Sequence, residues 1–342
     1  MADALRRWIR IVGGSLAGSS ARNLSTDEAA DAFGLLLEGE GTEAQVAAFC
    51  TAMRAKGASA DELAGFAKAS RERVSFPQLS PKAVVVSTSR LGKSHSPPLG
   101  LAAAAMASAA GAPVLLQVAP HAEGAGVTIG DLVVRMGGKF TADPKNIEAQ
   151  LEHTGLACWQ AVGIGDGWQR LWRIEEEVGL RSIPDTVCKL TAPEGVRLVV
   201  PAMPGPVLGK AGDAVAALGH QRAVVMQGME GSVDPYLCET TRGLFLAEGI
   251  KSPLRLEPMD LGLFGDSEPA QLHEDRLEAA VLATKKALAG VDGPELQVSL
   301  LGAAILLRLA DLSRDFASAV ALARDAVEAG AASRRLDEML AE

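Results

Sequence analysis

Aromatic side chains are scarce in this 342-residue chain, where Phe, Trp and Tyr together make up 4%. A β-sandwich with an aromatic-rich core is therefore disfavoured. The many Ala and Gly residues point instead to closely packed helices and tight strand-to-helix turns. Cysteine is also sparse. Cys50, Cys158, Cys188 and Cys238 are far apart and form no C-x-x-C pair, so neither a zinc site nor a disulfide framework is indicated, and buried free thiols are expected. Positive charge falls short of negative, 33 Lys and Arg against 42 Asp and Glu, leaving a net charge of −9. That argues against a general polyanion binder without excluding a local basic groove. No long apolar run is uninterrupted. The most apolar stretch, Leu99 to Val118, is broken by Gly111 and Pro113 and reads as a helix followed by a strand, not a membrane span. Met1 to Arg10 mixes charges early, unlike a signal peptide. A cytoplasmic protein with no membrane partner is expected.

What is present is enough for a large core, since 48% of residues are apolar. The first 75 residues read as all-helical. Ser25-Thr26-Asp27-Glu28 is a capping signal, and Ala29, Ala30, Phe33, Leu36 and Leu37 follow at helical spacing. A second helix is predicted over Glu43 to Lys56, ended by Gly57, and a third opens at Asp61. Pro77 and Pro81 stiffen a hinge, after which the texture changes. Ala83–Ser87, Val114–Val118, Leu156–Val162, Val196–Val200 and Arg222–Met226 read as strands, with helices between several of them. Unalternating apolar strands separated by helices imply a mostly parallel sheet covered on both faces. From Gln271 onward the chain reads as helical. The expected division is a helical domain over residues 1–75 and an α/β domain over residues 76–342.

Several segments then resemble a known family. Leu24-Ser25-Thr26-Asp27-Glu28-Ala29-Ala30, Gln45-Val46-Ala47-Ala48-Phe49 and Met53-Arg54-Ala55-Lys56-Gly57 look like the N-terminal domain of anthranilate phosphoribosyltransferases and pyrimidine nucleoside phosphorylases, glycosyltransferase family 3. Pro258-Met259-Asp260-Leu261-Gly262-Leu263 resembles the family's P-E-D-x-G-L segment, and Ala321 to Ala332 its closing helices. The resemblance implies the nucleoside phosphorylase/phosphoribosyltransferase-type fold: a small helical domain, a large α/β domain, a ligand cleft between them, and a homodimer formed through the helical domain.

The segments that carry the family's chemistry are altered. The family's G-T-G-G-D-G turn cradles a diphosphate, because glycines let backbone N–H groups approach phosphate oxygens. Here the corresponding stretch is Ser87 to Pro98, in which Ser89, Arg90, Gly92, Lys93, Ser94 and His95 are candidate phosphate or nucleic-acid contacts acting through side chains and charge. The alternative is a solvated polar loop. The family's K-H-G-N-R segment is replaced by Gln117 to Gly124, where His121 is either a remnant or an ordinary loop histidine. The family's magnesium motif, H-G-x-D-G-x-D-E, is matched by Gln227 to Pro235, in which the adjacent Asp-Glu pair is absent. Magnesium needs hard oxygen ligands in a tight octahedron. Glu230 and Asp234 are weak candidates for a displaced metal site; the favoured role for Glu230 is to fix the loop. Before Val178-Gly179-Leu180-Arg181, where the family places an acceptor-binding arginine, stand Glu175-Glu176-Glu177. They would repel a carboxylate acceptor. A solvated helix face is the favoured reading for them, and Arg173 compensates only in a shifted register.

This pattern of losses resembles the YbiB-like branch of the family, which also has an Arg/Lys-containing loop and a G-x-E-G-x-V segment. Lys189-Leu190-Thr191-Ala192-Pro193 fits that branch too. Its members are associated with binding DNA or RNA as dimers, without demonstrated phosphoribosyl transfer. Three functions stay open. One is a non-canonical family member that binds a phosphate-bearing ligand, nucleic acid or nucleotide, in the interdomain groove, with Arg90, Lys93, His95, Arg181, Lys189 and Arg222 supplying charge. The second is an active transferase with altered donor and acceptor, the only case in which magnesium is expected. The third is a structural or regulatory dimer with a vestigial cleft.

Overall fold

Five short runs rich in Val, Leu and Ala become parallel strands at the centre of the molecule. The computed structural model describes residues 2–14, 20–205, 207–272 and 275–342. Its first half runs α1 (Ala2–Gly13), α2 (Thr26–Leu37), α3 (Glu43–Lys56), α4 (Ala60–Arg71), β1 (Val84–Ser87), α5 (Gly100–Ala109), β2 (Val114–Gln117), α6 (Ile129–Arg135), α7 (Pro144–Thr154) and β3 (Leu156–Trp159). The second half runs α8 (Asp166–Val178), α9 (Ile183–Leu190), β4 (Arg197–Pro201), α10 (Val207–Ala217), β5 (Ala223–Gln227), β6 (Thr241–Ala247), β7 (Ile250–Leu256), α11 (Arg276–Leu288), α12 (Pro294–Leu309), α13 (Phe316–Glu328) and α14 (Ala331–Ala341).

The seven strands lie in the order β3-β2-β1-β4-β5-β6-β7. β1 to β5 are parallel and β6 and β7 antiparallel, so the sheet is mostly parallel, as expected. The sequence reading missed the β6–β7 hairpin. Its turn is Glu248-Gly249, both in the left-handed region at φ 51° and 74°, which suits the twist of a tight hairpin.

Successive residues of each parallel strand enter opposite cores. Val84, Val86, Val114, Leu116, Val199 and Val224 face α5 and the C-terminal helices α11 to α14. Val85, Leu115, Trp159, Leu198 and Val225 face α2 to α4 and α8 to α10. Burying each such side chain is worth roughly 1.5–3 kcal/mol, which is why the strands show no polar alternation.

The predicted cap of α2 is present. The Ser25 hydroxyl accepts the Glu28 N–H at 3.2 Å and the Glu28 carboxylate accepts the Ser25 N–H at 3.0 Å. α8 lies beyond residue 75 but packs with the helical bundle, with Trp168 against Phe33 at 5.6 Å between ring centres. The helical lobe is thus joined to one face of the sheet by a continuous core. Cys50, Cys158 and Cys188 are buried free thiols, whereas Cys238 is exposed. Burial pushes the Cys50 and Cys158 thiols up to about 12, so neither is a nucleophile at neutral pH.

The chain winds outward from β1 to β3, then returns to β4 beside β1. This reversal opens a crevice at the carboxyl ends of β1 and β4, where open α/β sheets place ligands. Among the described residues, no helix is long and apolar enough to cross a membrane.

Candidate functional site

The loop after β1 forms one wall of the crevice, and its charges are already spoken for. Arg90, expected to meet phosphate, is 4% exposed. Its guanidinium lies 4.3 Å over the Trp172 ring, 3.0 Å from Glu176 and 3.9 Å from Glu175. The glutamates correct the reading in turn. Glu176 is half-exposed, but the Glu175 side chain is buried and accepts the Ser182 N–H. Burial pushes the Glu175 carboxyl up, opposed by the Ser182 N–H and by Arg90. The Arg90 guanidinium is therefore turned toward the carboxylates of α8.

Gly92 has φ 57°, and a Cβ there would stand 2.5 Å from the Gly126 and Val127 carbonyl oxygens, so only glycine fits. Lys93 is 1% exposed, with Nζ 2.7 Å from Asp234 Oδ2 and 3.1 Å from the Pro97 carbonyl oxygen. It too is withdrawn from any ligand. The next three residues turn their N–H groups onto one acceptor. Ser94 and His95 donate to Glu230 Oε2 at 2.7 and 3.0 Å, and the Ser96 N–H and hydroxyl donate to Oε1 at 2.9 and 2.7 Å. Burial raises the Glu230 pKa, but these four donors outweigh it and hold the carboxyl below its ordinary value. The His95 ring is exposed and has no partner among the described residues.

The favoured role for Glu230, fixing the loop, matches this geometry. The alternative metal role does not. Glu230 is saturated by N–H and O–H donors, and Asp234 faces the Lys93 ammonium and the Leu99 N–H at 3.1 Å. No group of three or more potential metal ligands occurs among the described residues. A magnesium ion does not fit this donor set.

The other candidates divide. His121 is half-exposed, with Nδ1 3.0 Å from Asp131 Oδ2, the same oxygen that caps the start of α6 through Thr128. This contact fits the loop-histidine alternative. Arg222 precedes β5 at the opposite end of the sheet from the crevice and pairs with Asp311 at 2.7 Å, so it cannot supply charge there. Ser89 donates its hydroxyl to Asp185 at 3.1 Å, and Lys189 pairs with the other Asp185 oxygen at 2.9 Å. Burial pushes the Asp185 pKa up, but Lys189 and Ser89 win and hold it ionised. Arg181 is exposed, and its guanidinium has no partner among the described residues.

Arg181 and Lys189 both border a cavity of about 530 Å³. Met53, Arg54 and Leu63 of the helical lobe form one side, with Ile183, Val200, Val207 and Lys210 opposite. Arg54 Nη1 donates to the Arg181 carbonyl oxygen at 2.6 Å, tying the lobes together at the rim. The Lys210 ammonium has no ion-pair partner among the described residues. Sequence reasoning missed Arg54 and Lys210. Arg54 sits inside a segment that carried the resemblance, but nothing local marks it as facing the crevice. In contrast, the space between Ser89, Gly92, Thr128 and Gly231–Asp234, beside the β1 loop, measures only about 30 Å³. That is far below the size of a small-ligand site.

Comparison with known proteins agrees with the fold. Residues 15–74 match the helical bundle domain of a glycosyl transferase family and residues 95–333 its α/β domain. The anthranilate phosphoribosyltransferase 2 of Streptomyces coelicolor is 30% identical over 326 residues, covering 92% of this chain and 94% of the relative. The anthranilate phosphoribosyltransferase of Methanothermobacter marburgensis is 30% identical over 339 residues, covering 93% and 94%. Among solved structures, the enzyme from Thermus thermophilus superposes with a TM-score of 0.80 at 22% identity, covering 99% of this chain and 98% of that one. The Saccharomyces cerevisiae enzyme in complex with PRPP and Mg gives 0.81 at 16% identity, covering 100% and 98%. With both domains matched in order and relatives aligned across nearly the whole chain, the protein belongs to the anthranilate phosphoribosyltransferase-like glycosyltransferase family 3.

Proposed function

We propose that this protein binds a phosphate-bearing ligand, a nucleotide or a nucleotide unit of nucleic acid, in the interdomain cavity, and has given up phosphoribosyl transfer from a diphosphate donor. One observation carries the reading: Glu230 fills the N–H turn of the β1 loop. A donor diphosphate would need those same N–H groups, and magnesium would need carboxylates that are already bonded to donors. The 530 Å³ cavity lies in the size range of small-ligand sites. Its walls of Met53, Leu63, Ile183 and Val200 suit a flat base, and Arg54, Arg181 and Lys210 at its edge suit a phosphate. The resemblance to the YbiB-like branch supports nucleic acid as the source of that nucleotide. The same branch supports a homodimer through the helical lobe, where Val178 and Leu180 remain 37% and 47% exposed. Calorimetry tests the reading. Phosphoribosyl pyrophosphate with magnesium should give no heat at millimolar concentration, while an oligonucleotide should bind with an affinity that falls as salt is added.

The relatives' names favour a second reading, transfer of a phosphoribosyl group to anthranilate. It requires Glu230 to leave the turn and the Lys93–Asp234 pair to open. Consumption of anthranilate in the presence of phosphoribosyl pyrophosphate and magnesium, followed by its fluorescence, would establish it and overturn the first.

A further inference from the structure

At the β6–β7 edge of the sheet, an open groove of about 980 Å³ carries the opposite charge from the interdomain cavity. It lies between the segment that joins β5 to β6 and the turn that follows β7. Leu237 and Leu263 line it as buried residues, and Met259 and Phe264 line it while 73% and 64% exposed. Glu239, Glu257, Asp260 and Asp266 surround these apolar groups, against one cation, Arg242. The interdomain cavity is lined by Arg54, Arg181, Lys189 and Lys210 and by no carboxylate. We propose that the acidic groove docks a basic peptide segment of a partner protein, one that carries an apolar side chain between lysines or arginines.

The groove is shaped before any partner arrives. The Glu268 carboxylate accepts the Leu237 and Cys238 N–H groups at 3.0 and 2.9 Å, and the Thr240 hydroxyl donates to Glu257 at 2.6 Å. A Cβ on Gly265 would stand 2.3 Å from Leu237 Cδ2, so the two segments are in close contact. A preformed surface loses less conformational freedom on binding. Its apolar part distinguishes it from a solvated acidic face. Exposed apolar side chains are ordinarily scattered singly, whereas Met259 and Phe264 share one groove with two buried leucines. The charge then selects the occupant. Glu239, Asp260 and Asp266 have no ion-pair partner among the described residues. Their field reaches the Cys238 thiol, which desolvation, and then Glu268, Asp266 and Glu239, push up. Such a field repels a nucleic-acid backbone and attracts a cationic segment. The groove shares no lining residue with the interdomain cavity, so the proposal does not depend on the nucleotide reading.

The test is fluorescence anisotropy at low salt with two labelled heptapeptides. One has a leucine between two runs of three lysines; the other has glycine in place of the leucine and keeps the charge. The leucine peptide should bind at least tenfold more tightly than the glycine peptide. Met259→Ser with Phe264→Ser should remove that advantage, and Asp260→Lys with Asp266→Lys should weaken the leucine peptide at least tenfold. All four side chains are exposed, so both double variants should keep the wild-type melting temperature. Equal binding of the two peptides would reduce the interaction to general attraction by an acidic protein and overturn the proposal. So would wild-type binding in either folded double variant; should one of them not fold, the other decides alone. Self-association of the wild-type chain that Met259→Ser with Phe264→Ser abolishes, seen by sedimentation, would give the groove to a second copy and also overturn it.

Discussion

Lys93 and Asp234 meet at 2.7 Å with side chains only 1% and 3% exposed, one on the loop after β1 and the other after β5. A buried pair of this kind is costly to break and cheap to replace. Removing one partner leaves a desolvated charge and typically costs about 3–5 kcal/mol. Lys93→Met and Asp234→Asn should each lower the unfolding free energy measured in urea by about that amount, whereas Lys93→Met with Asp234→Leu should recover most of it. If the single variants are as stable as wild type, the pair does not hold the loops together.

Arg90 gives a related prediction with a different readout. Its stack on Trp172 and its contacts with Glu175 and Glu176 tie the β1 loop to α8. Arg90→Glu would place a third negative charge among those carboxylates, and the melting temperature should fall by several degrees. Arg90→Lys should lie between, because an ammonium lacks the planar fork and the stacking face. Loss of ligand binding in Arg90→Glu without loss of stability would mean that Arg90 faces the ligand after all.

The ligand cations should behave in the opposite way. Arg181 and Lys210 are exposed, so Arg181→Glu with Lys210→Glu should leave the melting temperature within a degree or two. Oligonucleotide affinity should drop at least tenfold, and its dependence on log salt should flatten by about one to two phosphate contacts. Unchanged affinity and slope, measured by fluorescence anisotropy, would move the site elsewhere.

His220 sets an acid limit on stability. Its ring is 0% exposed, with Nδ1 3.0 Å from the Val196 carbonyl oxygen and Nε2 3.4 Å from the Arg71 guanidinium. Those neighbours assign the proton to Nδ1. Burial first, then Arg71, push its pKa down to about 4. The unfolded chain, with a histidine near 6.5, binds more protons than the folded one between those values. Stability should therefore be complete above about pH 6.5 and fall as the pH drops to about 4, by about 3 kcal/mol in total. In denaturant titrations His220→Gln should remove that part of the slope. A variant with the wild-type slope would assign the acid sensitivity to carboxylates.

Local features of the fold were legible because their causes are local. The Ser25–Glu28 cap, the helix ended by Gly57 and the Val84–Ser87 strand each depend on residues a few positions apart. The β6–β7 hairpin was missed because Arg242, Gly243, Lys251 and Pro253 dilute its apolar pattern, leaving Glu248-Gly249 as its only strong signal. At the site, the altered motifs identified the right loop but not its state. Arg90, Lys93, Lys189 and Arg222 look like available cations in the sequence. The carboxylates that neutralise three of them come from other elements, 86 residues away for Arg90 and Glu176, 141 for Lys93 and Asp234, and 89 for Arg222 and Asp311. Only the Lys189 pair with Asp185 was within reach of helical spacing.

The contacts from the β1 loop to Glu230 and Asp234 pass over the end of β4, which lies between β1 and β5 in the sheet. They also enclose more than a third of the chain. Closing so long a loop costs entropy before any contact repays it, and such contacts slow folding. The order of assembly follows. A chain still being synthesised, with β1 and β4 made but residue 234 not yet added, holds Lys93 without its counter-ion and the Ser94–Ser96 turn without its carboxylate. The crevice reaches its final shape only after β5 and the turn that follows it have docked, so its closure marks a late step in the maturation of the fold.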